Sequence, residues 1–211
     1  MIKYIFFDND GVLVDTEKHF FEATRIILNK NGMEFTREEF INLTLIGNEG
    51  GWRIARDNGI SEEKIEEMRA ERNLLYASLL EREKLVIEGV EETLCSLAGK
   101  FKMAIVTSSK KHHFDLIHKN SGLLKYFDFI LTREDYSKSK PHPEPYLSAL
   151  EKSGCAKEEC IVVEDSLRGL ISAEEAGIKC AVIPGALTEG CDFGKAWKVL
   201  NSVKELPAVL S

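Results

Sequence analysis

The sequence predicts an α/β fold, a doubly wound parallel sheet with an inserted α-helical subdomain. Short apolar runs typical of buried parallel strands occur at residues 4–7, 102–106, 129–131, 160–163 and 180–183. From residue 90 onward, helical apolar patterns lie between these runs, and each pattern ends at a glycine: Gly99, Gly122, Gly154 or Gly177. Strands and helices that alternate in this way indicate a doubly wound sheet.

Residues 16–84 break this alternation, because they carry helical periodicity throughout and contain no convincing strand. Thr36 and Glu39 form a capping-box pattern, which marks the start of a helix. Ser61 is placed as the N-cap of a further, acid-rich helix. The segment is therefore predicted to be helical.

These patterns divide the chain into two parts. Residues 1–15 and 85–211 are predicted to form an α/β catalytic core, and residues 16–84 a helical cap inserted into it. The chain passes between the two parts at residues 12–15 and 82–88, which are candidate hinges. We expect the cap to close over the sheet edge and exclude water.

The composition excludes several classes of protein. The chain has 211 residues, of which 44% are hydrophobic and 30% charged, as in ordinary globular proteins. Its net charge of -7 disfavours a broad nucleic-acid surface, which needs clustered Lys and Arg. Neither a signal-peptide pattern nor an apolar stretch near the roughly 18 residues of a membrane span is visible. We expect a cytoplasmic monomer without nucleic-acid or membrane partners.

The cysteines are predicted to be reduced core residues, because their count is odd and none forms a C-x-x-C pair. They are Cys95, Cys155, Cys160, Cys180 and Cys191. A zinc site built from Cys155, Cys160 and a histidine is the alternative, although this spacing is not a usual ligand pattern.

Polar side chains follow the predicted strands where ligands bind in open α/β sheets, outside the carboxyl ends of the strands. They are Asp8, Asn9, Asp10 and Gly11 after the first strand, Thr107, Ser108 and Ser109 after the second, Lys140 in the loop after the third, and Glu164, Asp165 and Ser166 after the fourth. Carboxylates from two strands suit Mg²⁺, while hydroxyls and a lysine suit a phosphate. A carboxylate that attacks phosphorus would give an aspartyl phosphate. The set predicts Mg²⁺-dependent phosphotransfer on a small phosphorylated metabolite.

Four ordered segments carry a resemblance to a known family. They are FFDNDGVLVDTE, VTSS, KSKPHPEPY and VVEDSLRGLISAEEAG. Together they resemble the motifs of the haloacid dehalogenase superfamily, in the branch of β-phosphoglucomutase-like phosphatases. The resemblance spans the core from the first strand to Gly177, and the helical insertion lies where that branch carries its small cap. It implies a Rossmann-like core.

The resemblance implies roles for the first motif. Asp8 would be the nucleophile and a metal ligand. Asp10 would protonate the leaving oxygen and later activate water, and its backbone carbonyl would touch the metal. Asn9 departs from the hydrophobic residue that is usual at its position. The position could tolerate this change if the side chain points away from the site.

The other motifs would complete the site. Thr107 and the Ser108 backbone would hold the transferring phosphoryl group, and Lys140 would neutralise its charge and that of Asp8. Asp165 would bind Mg²⁺, with Glu164 as a second or water-mediated ligand.

Taken singly, several of these residues have simpler explanations. Asp8 begins a stretch that could be a plain turn, Thr107 and Ser108 could cap the next helix, Lys140 could be a solvated charge, and Ser166 is predicted to be an N-cap in any case. Because four unrelated turns rarely bring these groups to one sheet edge, the catalytic interpretation is favoured.

Histidines and the cap offer weaker candidates. His112 and His113 are predicted to be exposed helix residues, and His19 could face a substrate. Trp52 is more simply core of the cap, whereas Arg53 is kept as a candidate substrate-binding residue.

The leading hypothesis is a phosphatase, and its rival within the family is a β-phosphoglucomutase-type phosphomutase. His19 lies one residue early for the mutase pattern, which turns it by about 100° around a helix, and residues 47–50 lack the serine and arginine of the mutase turn. Dehalogenation needs neither a metal nor Asp10. A non-catalytic binding module would lack catalytic groups, and a Walker-type nucleotide triphosphatase would need a glycine-rich phosphate loop.

Overall fold

The structure, a computed structural model, describes residues 1–47, 49–81 and 84–210. Contacts divide the chain into two compact units, Met1–Asp15 with Leu85–Ser211, and Thr16–Lys84. Within the described ranges, we find no helix with the length and apolar character needed to cross a membrane.

The first unit is built on a parallel sheet. Its strands are β1 (Tyr4–Phe7), β2 (Lys102–Val106), β3 (Phe129–Leu131), β4 (Cys160–Glu164), β5 (Lys179–Val182) and β6 (Lys198–Val199), in the spatial order β3-β2-β1-β4-β5-β6. The predicted doubly wound sheet is confirmed. The sequence missed β6, since this strand has only two residues, both exposed, and pairs with β5 alone.

Helices follow the strands of this unit. They are α5 (Val90–Leu97), α6 (Lys111–His118), α7 (Glu144–Ser153), α8 (Leu167–Glu175) and α9 (Leu206–Val209), with single 3₁₀ turns at Leu124–Tyr126, Arg133–Asp135, Lys157–Glu159 and Val203–Glu205. Ser166 caps α8 as predicted, because its hydroxyl accepts the Gly169 N–H. Thr107 and Ser108 do not cap α6, whose N-cap position is Lys110.

The central strands β1, β2 and β4 are buried on both faces of the sheet, as their continuous apolar sequences require. The whole of β1 is buried. Tyr4 and Phe6 pack into a core that includes Val106 and Val162, whereas Phe7 meets the ring of Phe127. This burial makes β1 a rigid support for the residues that follow it.

The cysteine prediction is only partly correct. All five are free, and Cys160 and Cys180 are buried as expected. Cys95 is exposed, because it lies on the outer face of the amphipathic helix α5.

The second unit is helical. It contains α1 (Glu17–Lys30), α2 (Arg37–Phe40), a π-helical segment (Ile41–Ile46), α3 (Trp52–Asp57) and α4 (Glu62–Leu80), and α1 packs against α4. The predicted capping box of Thr36 and Glu39 and the Ser61 cap are both present.

The two chain segments that flank the helical unit in the sequence are hydrogen-bonded to each other through their backbones. The Asp15 N–H donates to the Leu85 carbonyl at 2.8 Å, and the Ile87 N–H donates to the Leu13 carbonyl at 3.1 Å. Of the second candidate hinge, residues 82 and 83 lie outside the described residues. The hinge function stays a prediction.

Candidate active site

The sheet register brings the polar strand ends level with one another. Phe7 pairs with both Ile105 and Val163, so Asp8 follows directly beside the ends of β2 and β4. The Asp8 N–H continues this ladder by donating to the Val163 carbonyl at 2.9 Å. The strand ends therefore deliver their side chains to one place.

Lys140 links the residues gathered there. Its Nζ lies 2.7 Å from Asp8 Oδ1, 2.7 Å from Glu164 Oε1 and 2.9 Å from the Val106 carbonyl oxygen. An ammonium has three N–H donors, and each has an acceptor here. The side chain is only 2% exposed, a burial that lysine reaches when its charge is paired. Lys140 is therefore not a solvated loop charge.

Glu164 is held by four donors. Besides Lys140, the Tyr146 hydroxyl donates to Oε1 at 2.6 Å, while Ser166 Oγ and the Asp165 N–H donate to Oε2 at 3.1 and 3.2 Å. Gly169 on α8 leaves room for this carboxylate, because a Cβ at that position would overlap it. Both oxygens of Glu164 are thus fixed.

The buried charges shift one another's pKa. The pKa of Asp8 is raised to about 7, because burial and the nearby Glu164 charge raise it by more than the Lys140 ammonium lowers it. Burial also disfavours the charged form of Glu164, but the Lys140 ammonium outweighs it and holds the Glu164 pKa below its ordinary value. Burial lowers the pKa of Lys140, yet its two carboxylate partners leave it raised overall. Lys140 therefore stays charged.

Two hydroxyl groups donate hydrogen bonds to the same oxygen of Asp10. Ser109 Oγ donates to Oδ2 at 2.8 Å and Thr107 Oγ1 at 3.2 Å. Thr107 is itself fixed, because its hydroxyl oxygen accepts the Ser109 N–H at 3.0 Å and its carbonyl accepts the Tyr136 hydroxyl at 2.7 Å. The loop after β2 thereby orients the carboxylate that follows β1.

A group of three buried carboxylates could hold a metal ion. Oxygens of Asp8, Glu164 and Asp165 lie within 4.8 Å of one another. The Lys140 ammonium is paired with two of these carboxylates, those of Asp8 and Glu164. Hard carboxylate oxygens suit Mg²⁺. The residues present fit this ion.

The backbone around Asp165 is shaped to bring its carboxylate close. Gly11 has a φ of +80°, and a Cβ on this residue would overlap the Asp165 carboxylate. The Asp165 carbonyl accepts a hydrogen bond of 2.8 Å from Thr188 Oγ1, in the loop after β5. Nothing in the sequence pattern pointed to Thr188.

The candidates outside the core motifs lie elsewhere. Arg53 belongs to the helical unit, where its exposed guanidinium binds Glu49 and Asp57 at 2.8 and 2.9 Å. Its role in substrate binding stays a prediction. Trp52 is buried, as expected for a core residue of that unit. Ser108 Oγ lies 3.0 Å from Ser139 Oγ.

The histidine predictions were correct for His112, which is exposed, and wrong for His113, which is buried on the inner face of α6. His19 is also buried. His118 lies at the end of the same helix, and its Nε2 is 2.7 Å from Asn9 Oδ1. The sequence pattern did not identify this residue as a candidate.

Arg72 is a buried cation in the helical unit that the sequence analysis also missed. Its guanidinium lies 4.1 Å from the centre of the Phe20 ring and 5.7 Å from that of Trp52. Burial lowers its pKa to about 10. Its helical position next to Glu71 gave no signal, because arginines at such positions are usually solvated.

Comparisons with known proteins identify a matching family and similar chains. The family model described as haloacid dehalogenase-like hydrolase matches residues 5–183. A protein of Bacillus subtilis (strain 168) named "Putative phosphatase YhcW" is 31% identical over 100% of this chain and 96% of its own length. Hexitol phosphatase B of Escherichia coli (strain K12) is 29% identical over 96% of this chain and 93% of its own.

A solved structure is similar over nearly the same extent. The crystal structure of β-phosphoglucomutase from Clostridium difficile has a TM-score of 0.83 and 26% identity, and the match covers 98% of this chain and 93% of that chain.

Proposed function

Because this chain belongs to the haloacid dehalogenase-like hydrolases, we propose that it hydrolyses a small phosphomonoester through a phosphorylated Asp8. The chain is a phosphatase, as its family and its phosphatase-named relatives support. A sugar phosphate or a similar metabolite is the proposed substrate, which accords with the name of the hexitol phosphatase. A cytoplasmic location and a monomeric state stay predictions.

The observation that carries the proposal is the triangle of Lys140, Asp8 and Glu164. The Lys140 ammonium fixes Asp8 Oδ1 through one 2.7 Å contact, and a second 2.7 Å contact ties the same ammonium to Glu164 Oε1. A carboxylate fixed in this way can attack phosphorus without the entropic cost of ordering it in the transition state.

In the first proposed step, an oxygen of Asp8 bonds to phosphorus and the bond from phosphorus to the leaving oxygen breaks. Asp10 donates its proton to that oxygen. In the second step, Asp10 takes a proton from water, the water oxygen bonds to phosphorus, and the bond to Asp8 breaks to release inorganic phosphate. Thr107 and Ser109 orient Asp10 through both steps.

Asp8 and Asp165 are the residues proposed to hold Mg²⁺. When bound, this ion offsets the negative charge of the phosphate and of the buried carboxylates. Glu164 already accepts four hydrogen bonds and is better placed to hold Lys140 than to bind the ion directly. The backbone carbonyl of Asp10 is kept as a further proposed ligand.

The helical unit Thr16–Lys84 is proposed to select the substrate, because phosphoryl-transfer groups are shared among relatives while selectivity lies elsewhere. Arg53 is the residue of this unit proposed to contact an anionic or hydroxyl-rich substrate.

The test is a panel of phosphorylated metabolites, including hexose, pentose and hexitol phosphates, assayed for phosphate release with Mg²⁺ and with EDTA. We expect turnover that requires Mg²⁺ and is lost in Asp8→Asn, whose amide is nearly isosteric but is not a nucleophile. Full activity in EDTA would contradict the metal proposal. Near-wild-type turnover by Asp8→Asn would contradict the mechanism.

A further inference from the structure

Asn9 lies between the two catalytic aspartates and is fully buried. Its Oδ1 is 2.7 Å from His118 Nε2, and its Nδ2 is 3.4 Å from Asp10 Oδ2. On the far side of the imidazole, His118 Nδ1 lies 2.9 Å from Ser121 Oγ. A continuous polar chain therefore runs from Ser121 through His118 and Asn9 to Asp10, inside the core unit.

The chain has a direction. Ser121 has one hydroxyl proton, and His118 Nδ1 at 2.9 Å is a nearer acceptor for it than the His118 carbonyl at 3.3 Å. With Nδ1 as acceptor, the neutral imidazole carries its proton on Nε2 and donates it to Asn9 Oδ1. Burial keeps His118 neutral by lowering its pKa to about 4.

This direction fixes the Asn9 amide. Since Oδ1 of Asn9 is held by His118, the amide NH₂ must face Asp10. The opposite orientation would set the amide oxygen against a carboxylate oxygen and leave a buried donor facing no acceptor. His118 thus decides which group Asn9 presents to the catalytic carboxylate.

The result is a third donor on the same oxygen of Asp10. Ser109, Thr107 and Asn9 all approach Oδ2, at 2.8, 3.2 and 3.4 Å. Donors that converge on one oxygen set the rotation of the carboxylate and hence the direction of Oδ1. Two of them come from the loop after β2, and only Asn9 comes from the β1 side.

We propose that His118, acting through Asn9, is a positioning residue that aims Asp10 at the leaving oxygen of the substrate. The inference rests on the proposed function, because it assigns a cause to the orientation of the proposed acid. His118 itself does not touch the reacting atoms. Its effect should therefore appear only where proton donation by Asp10 matters.

The experiment follows release of the leaving group in a single turnover with excess enzyme, so that only the first chemical step is seen. The substrates are p-nitrophenyl phosphate, whose leaving group needs little protonation, and a hexose 6-phosphate, whose alkoxide needs an acid. Asp10→Asn supplies the reference for complete loss of the acid. His118→Leu removes the donor to Asn9.

We expect His118→Leu to lower the rate of sugar release about 10- to 100-fold and the rate of p-nitrophenol release less than about threefold. These effects are expected if Asp10 is still present but wrongly oriented. His118→Gln keeps a donor near the Nε2 position and should restore most of the sugar rate. His113→Leu removes another buried imidazole from α6 and should leave the ratio of the two rates unchanged.

His118→Leu leaves buried Asn9 Oδ1 without its donor, which destabilises the fold, so the double variant Asn9→Leu/His118→Leu is measured beside it. Replacing both partners with apolar groups is far less destabilising, and the same selective loss is expected. Equal slowing of both substrates, or a ratio like that of His113→Leu, would overturn the inference while the phosphatase proposal stands. A wild type that hydrolyses neither substrate would overturn both.

Discussion

At the residue scale, the site couples one buried ammonium to buried carboxylates. Lys140 serves two buried carboxylates, and a third, Asp165, lies close to them. Burying an ion is unfavourable unless partners replace its water, so removal of either side of such a pair leaves an uncompensated charge. The same groups that support the proposed chemistry are therefore coupled to the stability of the fold.

Lys140→Met should reduce the free energy of unfolding by about 3–5 kcal/mol, because it strands the carboxylates of Asp8 and Glu164. Adding Glu164→Gln removes one of the stranded charges and should recover part of that loss. Neither variant should hydrolyse phosphomonoesters. Urea unfolding in EDTA measures the stabilities, and an unchanged midpoint for Lys140→Met would contradict the buried pairing.

The raised pKa of Asp8 predicts a pH dependence of stability in the metal-free protein. Burial raises this pKa to about 7, against about 3.9 in an unfolded chain, so between those values the folded state binds a proton that the unfolded state has lost. The free energy of unfolding should therefore fall as pH rises from about 4 to about 7, by a few kcal/mol.

The measurement is the difference in unfolding free energy between wild type and Asp8→Asn, in EDTA, at pH 4.5, 6.0 and 7.5. Because the amide does not titrate, the difference isolates the Asp8 contribution and should decline toward pH 7.5. Mg²⁺ should oppose the decline, since it binds the ionised form. A flat difference across this range would show that Asp8 is ionised throughout.

The sequence predicted the charged site residues more readily than their supports. Asp8, Lys140 and Asp165 stand out because charged groups beside apolar runs need an explanation. Tyr146 and His118 do not, because each occupies an inward position of an amphipathic helix, where a large ring fits the apolar pattern. Only the Tyr146 hydroxyl and a His118 ring nitrogen reach toward the site. The apolar periodicity of a helix does not predict the position of a single polar atom.

At the element scale, the turn from β4 into α8 accommodates the Glu164 carboxylate because Gly169 has no side chain. Gly169 lies in the first turn of α8, where a Cβ would overlap the Glu164 carboxylate. Alanine is normally preferred to glycine in a helix by up to about 1 kcal/mol. Here the overlap should reverse that preference.

Gly169→Ala is expected to destabilise the protein by about 1–3 kcal/mol, the usual cost of overpacking, and to lower kcat by displacing Glu164 from Lys140. Gly185→Ala is the matched control, since a Cβ there meets nothing within 4 Å. Thermal and urea unfolding compare the two. Stabilisation of Gly169→Ala to the level expected from helix propensity would refute the close approach.

Elements were predictable in proportion to how regular and buried they are. The strands β1, β2 and β3 lie where the apolar runs predict, because a strand buried on both faces needs a continuous apolar sequence. The π-helical segment Ile41–Ile46 was missed, since its sequence, INLTLI, has the apolar content of an ordinary helix. Its extra residue per turn leaves no mark in an apolar pattern this short.

At the scale of the whole molecule, the proposed chemistry is contained in one unit. The hydrogen bonds that hold Asp8, Lys140 and Glu164 all arise within Met1–Asp15 and Leu85–Ser211. Relatives that share the core can therefore differ in substrate and in the fate of the phosphorylated aspartate, which depends on access of water.

The last prediction concerns that fate. A phosphomutase must protect its aspartyl phosphate from water while the intermediate reorients, which requires groups in the insertion that couple closure to the sugar. His19 lies one residue early for such a role and is buried in α1, and Arg53 is bound by Glu49 and Asp57. Of the turn at residues 47–50, Asn48 lies outside the described residues, but its sequence lacks serine and arginine. We expect hydrolysis to outpace transfer. Supplied with β-glucose 1-phosphate and a catalytic amount of glucose 1,6-bisphosphate, the enzyme should release phosphate without accumulating glucose 6-phosphate, whereas rapid glucose 6-phosphate formation with little free phosphate would identify a mutase.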